Sequence, residues 1–167
     1  SQIGDVNPSP MFSGTIEHSL KVARDAYFDG SEYNNSAIIV GGIGSAADAL
    51  GAVKWLVFDK KLTTLAGLKK TLAGNWQDEK LRAQALNCPR KSGCGDDETD
   101  SLAAKICDFI VSYQGKPNSR GGYYKTELHS ARQFIELGKR TPATPDGRLA
   151  GEETSKNASP TQGMDRN

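Results

Sequence analysis

Gly42-Ile43-Gly44-Ser45-Ala46-Ala47 follows an apolar stretch and opens a helical pattern, an arrangement in which backbone N–H groups at a helix N-terminus cradle a pyrophosphate. Asp59 stands downstream as the acid such a site needs, although it arrives about three residues early and no second strand–helix–strand half follows. A tight strand-to-helix turn accounts for the same residues; a stand-alone nucleotide-binding module using Gly42 to Ala47 is the alternative they leave open. Cys88, Cys94 and Cys107 are odd in number and lack the His or paired Cys that would complete a tetrahedral zinc site, so free thiols and no metal centre are expected. Cys94 lies near Asp96, whose carboxylate works against thiolate formation, and Cys107 reads as a small buried thiol. His18 and His129 have no Ser/Asp or Cys partner at a diagnostic spacing. Asp96, Asp97, Glu98 and Asp100 lack the alternating ligands, central Gly and distal Glu of a calcium loop, and helix capping explains them.

The elements that would hold these residues follow from periodicity. Ile16, Leu20, Ala23 and Tyr27 predict a helix over Ser13 to Phe28, ended by Gly30 in a left-handed conformation. Ala37 to Val40 reads as a buried strand. The next helix is expected to face the core with Ala46, Ala49, Leu50, Val53, Leu56 and Val57, leaving Asp48, Lys54 and Asp59 off that face. Thr63 or Thr64 caps a helix carrying Leu65, Leu68 and Leu72, and Trp76 plugs the junction after Gly74-Asn75. A short helix from Asp78 to Leu86 precedes a surface loop over Asn87 to Gly95. Asp97 is the expected N-cap of a helix bearing Leu102, Ile106, Phe109, Ile110 and Tyr113. A strand over Tyr123 to Leu128 and a helix from Ser130 to Leu137, closed by Gly138, complete the ordered part. From Thr141 onward apolar periodicity vanishes, and taken alone that stretch reads as disordered.

A chain of 167 residues is long enough for a real core. Its 21 basic and 20 acidic residues leave a net charge of +1, so no global field draws it to nucleic acid or anionic lipid. No apolar run approaches the roughly 18 residues that cross a membrane. A cytoplasmic location is expected, including the interior of a bacterial microcompartment. The residues alone take the reading as far as a helix-rich α/β segment; the start at Ser1 and the polar stretch at Asn167 suggest an internal piece of something larger.

The run Arg140-Thr141-Pro142-Ala143-Thr144-Pro145-Asp146-Gly147-Arg148-Leu149-Ala150-Gly151-Glu152, followed by Asn157-Ala158-Ser159-Pro160-Thr161-Gln162-Gly163-Met164-Asp165, closely resembles the glycyl radical enzyme family, which includes pyruvate formate-lyases and the glycerol and propanediol dehydratases. Ser45 to Lys54 resembles that family's "ADSLAAIK" helix. Thr63 to Trp76 is similar to a following family helix, and Pro89 to Asp100 to its "PKYGNDDxxVD" loop, with Ser92, Cys94 and an extra Gly95 as departures.

The resemblance implies that residues 1–167 are a partial segment from the second half of a ten-stranded α/β barrel, without the C-terminal glycyl radical domain. It implies a parent that dehydrates a small polar metabolite or cleaves its C–X or C–C bond by radical chemistry; formate acetyltransferase is an alternative activity. The parent would need a radical installed by an S-adenosylmethionine-dependent activating enzyme, would be a homodimer, and would bind neither nucleic acid nor membrane. This piece would bind no cofactor and hold neither the radical glycine nor the thiyl cysteine. Arg120-Gly121-Gly122-Tyr123 imitates the radical loop but lies upstream of the Pro145-Asp146-Gly147-Arg148 turn instead of downstream. Ser159, Pro160, Thr161 and Gln162 would line the substrate pocket. In the turn, Pro145 would fix φ, Gly147 supply a positive φ and Arg148 reach neighbouring carboxylates.

Overall fold

The computed structural model describes residues 7–128, 132–156 and 159–163. The described residues up to Ile38 with Ser112–Thr126 form one compact unit, and Ile39–Val111 with the described residues after Thr126 form a second. Among the described residues no helix is long and apolar enough to cross a membrane.

In the first unit the expected single helix is divided. Helix α1 (Pro10–Ser13) and helix α2 (Glu17–Val22) are followed by a wide turn over Ala26–Gly30. Ala23 takes a left-handed conformation, φ 51°, which ends α2. Gly30 is not the left-handed residue; Asp29 is, at φ 59°. Polar bonds hold these short pieces: Asp25 accepts from the Ser9 N–H at 2.7 Å and the Ser13 hydroxyl at 2.9 Å, and Ser13 in turn accepts from Ala26 N–H at 2.9 Å. Leu20 and Tyr27, two of the residues whose spacing predicted the helix, are exposed. Gly121, in the segment that imitates a radical loop, occupies a turn at φ 78°.

Strand β1 (Ser36–Val40) pairs with β2 (Tyr124–Leu128) in a two-stranded sheet. Helix α3 (Ile43–Val53) follows, and its axis runs on into a wider π-helical stretch, Lys54–Asp59. Its buried face differs from the expected one. Ile43, Gly44, Ala47, Asp48, Gly51 and Ala52 point inward, while Ala46 and Leu50 are exposed. Small residues line both sides of its first turns, so periodicity misjudged the face there, while Val53, Leu56 and Val57 further along pack on the core as expected. The inward face packs against α6 (Asp97–Val111).

Thr64 is the N-cap of α4 (Leu65–Ala73), accepting from Gly67 N–H at 3.0 Å; Asp78 caps α5 (Glu79–Leu86) through Leu81 N–H at 3.0 Å. Trp76 plugs the junction as expected, packed with Leu56, Leu68, Leu81 and Ala85 in the core. The stretch after α5 is irregular but not a surface loop throughout, because Cys88, Lys91 and Ser92 are buried. Asp96, not Asp97, caps α6, accepting from Thr99 N–H at 3.1 Å. Phe109, on the expected core stripe of α6, is 65% exposed. The last helix, α7, covers Gln133–Arg140 and contains Gly138, so that glycine is an interior residue and not a cap. The expected helix start at Ser130, together with His129, lies outside the described residues.

Residues 141–156, which read as disordered, are ordered by side chains. Arg148 is buried and its guanidinium donates to the carbonyls of Leu149 (3.1 Å), Glu152 (2.7 Å), Thr141 (3.2 Å) and Pro142, and to the Thr144 hydroxyl (3.1 Å). Its hydrogen-bond partners are therefore backbone carbonyls and one hydroxyl, not the carboxylates expected. Burial pushes the Arg148 guanidinium below its ordinary value, against the pull of Asp146 and Glu152. Gly147 has the expected positive φ, 99°, and a side chain there would meet Leu86 at 2.8 Å. Trp76 donates to Thr144 O at 3.0 Å, Arg82 to Gly147 O at 2.9 Å, and Asn75 accepts from Ala150 N–H at 2.8 Å.

Replacing Arg148 by Met keeps the apolar stem but leaves a group of buried carbonyls without donors, so Arg148→Met is expected to lower unfolding stability by about 3 kcal/mol. Urea denaturation followed by Trp76 fluorescence measures it; a loss below about 1 kcal/mol contradicts the clamp.

Candidate functional site

Ser159, Pro160, Thr161 and Gln162 lie together on one cleft of 680 Å3, whose wall also includes Glu153, Thr154, Ser155, Lys156 and Gly163. Three local devices fix this loop. The first joins it to α3 at the strand-to-helix turn. Ser45 N–H donates to the Ser155 hydroxyl at 2.8 Å, and Ser155 N–H donates to the Ser45 hydroxyl at 2.8 Å. Ser155 thus does for the first turn of α3 what an N-cap side chain does, from 110 residues away in sequence.

The second device is close approach. A Cβ on Gly44 would lie 2.5 Å from the Ser159 carbonyl oxygen, and one on Gly93 would lie 2.3 Å from Pro160 Cγ. The glycines of the nucleotide-like pattern therefore admit the chain's own loop. Ser155 and Ser159 occupy the helix start where a pyrophosphate would have to sit.

The third device is Asp48, which is 1% exposed. Its Oδ1 accepts from Ser92 N–H at 2.7 Å and its Oδ2 from the Thr161 hydroxyl at 2.9 Å. Burial raises the Asp48 carboxyl above its ordinary value, opposed by the Ser92 and Thr161 hydrogen bonds and by Lys91. Lys91 is itself buried and donates to Asp146 O at 3.3 Å, which ties the Pro145–Arg148 turn into the same polar interior. Asp146 Oδ1 is buried without a partner among the described residues. Asp48 was expected off the packed face because helical periodicity assigns charge to solvent. Its hydrogen-bond partners lie 44 and 113 residues away, and no local pattern could reveal them.

The remaining candidates do not converge on the cleft. Cys88, Cys94 and Cys107 carry no disulfide. Cys88 is buried, and burial pushes its thiol up, away from a nucleophilic thiolate. Cys107 is half-buried and not in the core. Asp59 and Glu98 pair with Arg90, at 2.9 and 2.5 Å, in a surface network beside Lys54. His18 is half-buried on α2 in the first unit.

Residues 2–138 match the pyruvate formate lyase-like family profile, and the chain belongs to that family of glycyl radical enzymes. The trans-4-hydroxy-L-proline dehydratase of Clostridioides difficile is 31% identical over 162 residues, covering 96% of this chain and 20% of that protein. The glycerol-bound glycerol dehydratase of Clostridium butyricum superimposes with a TM-score of 0.80 at 31% identity, over 98% of this chain and 21% of its own. A Roseburia inulinivorans structure of 1,2-propanediol dehydration gives 0.83 at 32% identity, over 98% and 22%. This chain therefore spans about a fifth of the proteins it matches.

Because the folded protein holds the Asp48 proton more tightly than the unfolded chain, the sign of its pH effect is fixed. The contribution is complete below the ordinary value of 3.8 and is lost as pH rises from there through the folded-state value. Asp48→Asn has no such proton to lose. Its unfolding free energy relative to the native protein is expected to improve as pH rises through that window and to level beyond it. Denaturation at pH steps from below 3.8 to neutrality measures this, and a constant difference contradicts it.

Proposed function

We propose that this chain is a wall segment, from the second half of a ten-stranded α/β barrel, of a glycyl radical dehydratase or lyase acting on a small polar metabolite. Family membership and relatives named for dehydrating trans-4-hydroxy-L-proline, glycerol and 1,2-propanediol support the reaction class. The observation that carries the role of this segment is the Ser159–Gly163 cleft, whose lining is held by Asp48, Gly44 and Gly93 instead of by secondary structure. The four lining residues Ser159, Pro160, Thr161 and Gln162 face the substrate.

The chemistry of such a parent would begin with a backbone glycyl radical, installed by an S-adenosylmethionine-dependent activating enzyme; that radical would take the hydrogen atom of a cysteine S–H, and the thiyl radical so formed would take a hydrogen atom from a substrate C–H. The reacting atoms lie outside this segment, whose contribution is to orient the substrate and exclude water from radical intermediates. A homodimeric parent fits this reading. Phe109, Tyr33, Leu137 and Ile39 are exposed, and in the parent they are covered by the rest of the barrel.

Two preparations test the proposal. The full-length parent, activated anaerobically, is expected to show an organic radical by EPR and to turn over at least one of the three alcohols or amino acids above. The 167-residue segment treated identically is expected to give neither signal nor product and to self-associate in size-exclusion chromatography. Turnover by the segment alone defeats the wall reading, and turnover of pyruvate with coenzyme A but none of the three compounds reassigns the parent to formate acetyltransferase.

A further inference from the structure

Thr161 lines the cleft, and Asp48 does not. A threonine hydroxyl has one proton to donate and two lone pairs to accept with. In this protein the proton points at Asp48 Oδ2, 2.9 Å away, where Asp48 is buried. Oδ1 is committed to Ser92 N–H, so the carboxylate cannot turn away without leaving a buried N–H unpaired. The Thr161 oxygen therefore keeps only its accepting capacity for anything in the cleft, and the neighbouring carboxylate makes it a stronger acceptor.

We propose that Asp48 is a positioning residue that fixes both the place and the polarity of Thr161, so that the cleft receives at this point a substrate group that donates a hydrogen bond, a hydroxyl or an ammonium. This rests on the reading of the Ser159–Gly163 cleft as the substrate pocket, and it adds which chemical group that pocket selects. A carbonyl, ether or carboxylate oxygen brought to the same spot would face an acceptor and be rejected.

Asp48→Asn separates polarity from structure. The asparagine keeps shape and volume, and its Oδ1 still accepts from Ser92, but its amide N–H would donate to Thr161 and turn the Thr161 proton toward the cleft. Thr161→Val removes both the anchor and the acceptor, and Thr161→Ser keeps them. The test uses the full-length, unactivated parent, with glycerol, 1,2-propanediol and trans-4-hydroxy-L-proline as probes in calorimetric binding. Amide hydrogen exchange of residues 159–163 is followed in the unliganded protein.

The expected result is that Asp48→Asn weakens whichever probe binds by about tenfold while leaving loop exchange protected. Thr161→Val weakens binding by a similar factor and accelerates loop exchange by about tenfold. Thr161→Ser restores both. If Asp48→Asn binds the probe as tightly as the native enzyme, the polarity assignment is overturned, and unchanged exchange in Thr161→Val overturns the anchor. If the native enzyme binds none of the three probes, the substrate reading fails and the selection of a donor group falls with it. The exchange measurement then decides separately whether Asp48 holds the loop.

Discussion

A carboxylate taken out of water must find donors for both oxygens or give up its charge. Asp48 finds them on two segments that share no secondary structure with each other, the Ser92 turn and the Thr161 loop. Everything that distinguishes the cleft hangs on that condition. Helix α3 presents the carboxylate from a packed face that includes Gly44, Ala47 and Gly51, residues small enough to let neighbouring backbone come close. The helix is thus less a hydrophobic ridge than a rail on which irregular chain is hung.

The same solution recurs wherever the fold lacks a ladder. Arg148 gathers four carbonyls around one guanidinium, Trp76 and Arg82 reach the carbonyls of the turn it closes, and Ser155 stands in as the missing cap of α3. Backbone polar groups that would otherwise be unsatisfied are paired by side chains, locally by Arg148 and from distant elements by Trp76, Arg82 and Ser155. Long-range side-chain bonds of this kind order residues 141–156 without apolar periodicity.

That explains what was legible in the sequence and what was not. Thr64 and Asp78 act on backbone N–H groups three residues away, so the capped helices they begin were readable from local pattern. The Arg148 turn was recognisable as a motif, and its positive φ at Gly147 followed from residue type. The partners of Arg148 and Asp48 lie far away in the chain or on backbone, and neither leaves a periodic trace. Helical phase misled in the first turns of α3, where Ala46 and Leu50 are exposed and Asp48 is buried, whereas Leu56 is buried and Val57 packs on the core as expected. Phe109 was expected in the core, and both it and Leu137 are exposed. Under the proposed reading, their core is completed by chain outside this segment.

The glycine pattern at Gly42 to Ala47 carries the most general point. A helix start with small residues and free N–H groups is attractive to any acceptor, and a phosphate is only one of them. Here the acceptor is the Ser155 hydroxyl, and the space above Gly44 is taken by the Ser159 carbonyl. The geometry that would have bound a nucleotide instead seats the loop whose other end carries Thr161. One turn of helix thereby fixes where the cleft wall stands, and one buried carboxylate four residues further along fixes the direction of the Thr161 hydroxyl on that wall. Under the proposed reading, a segment that carries no reacting atom shapes a reaction in this way: by geometry and by the direction of a single hydroxyl, it selects which group of a substrate is held still while the chemistry proceeds elsewhere.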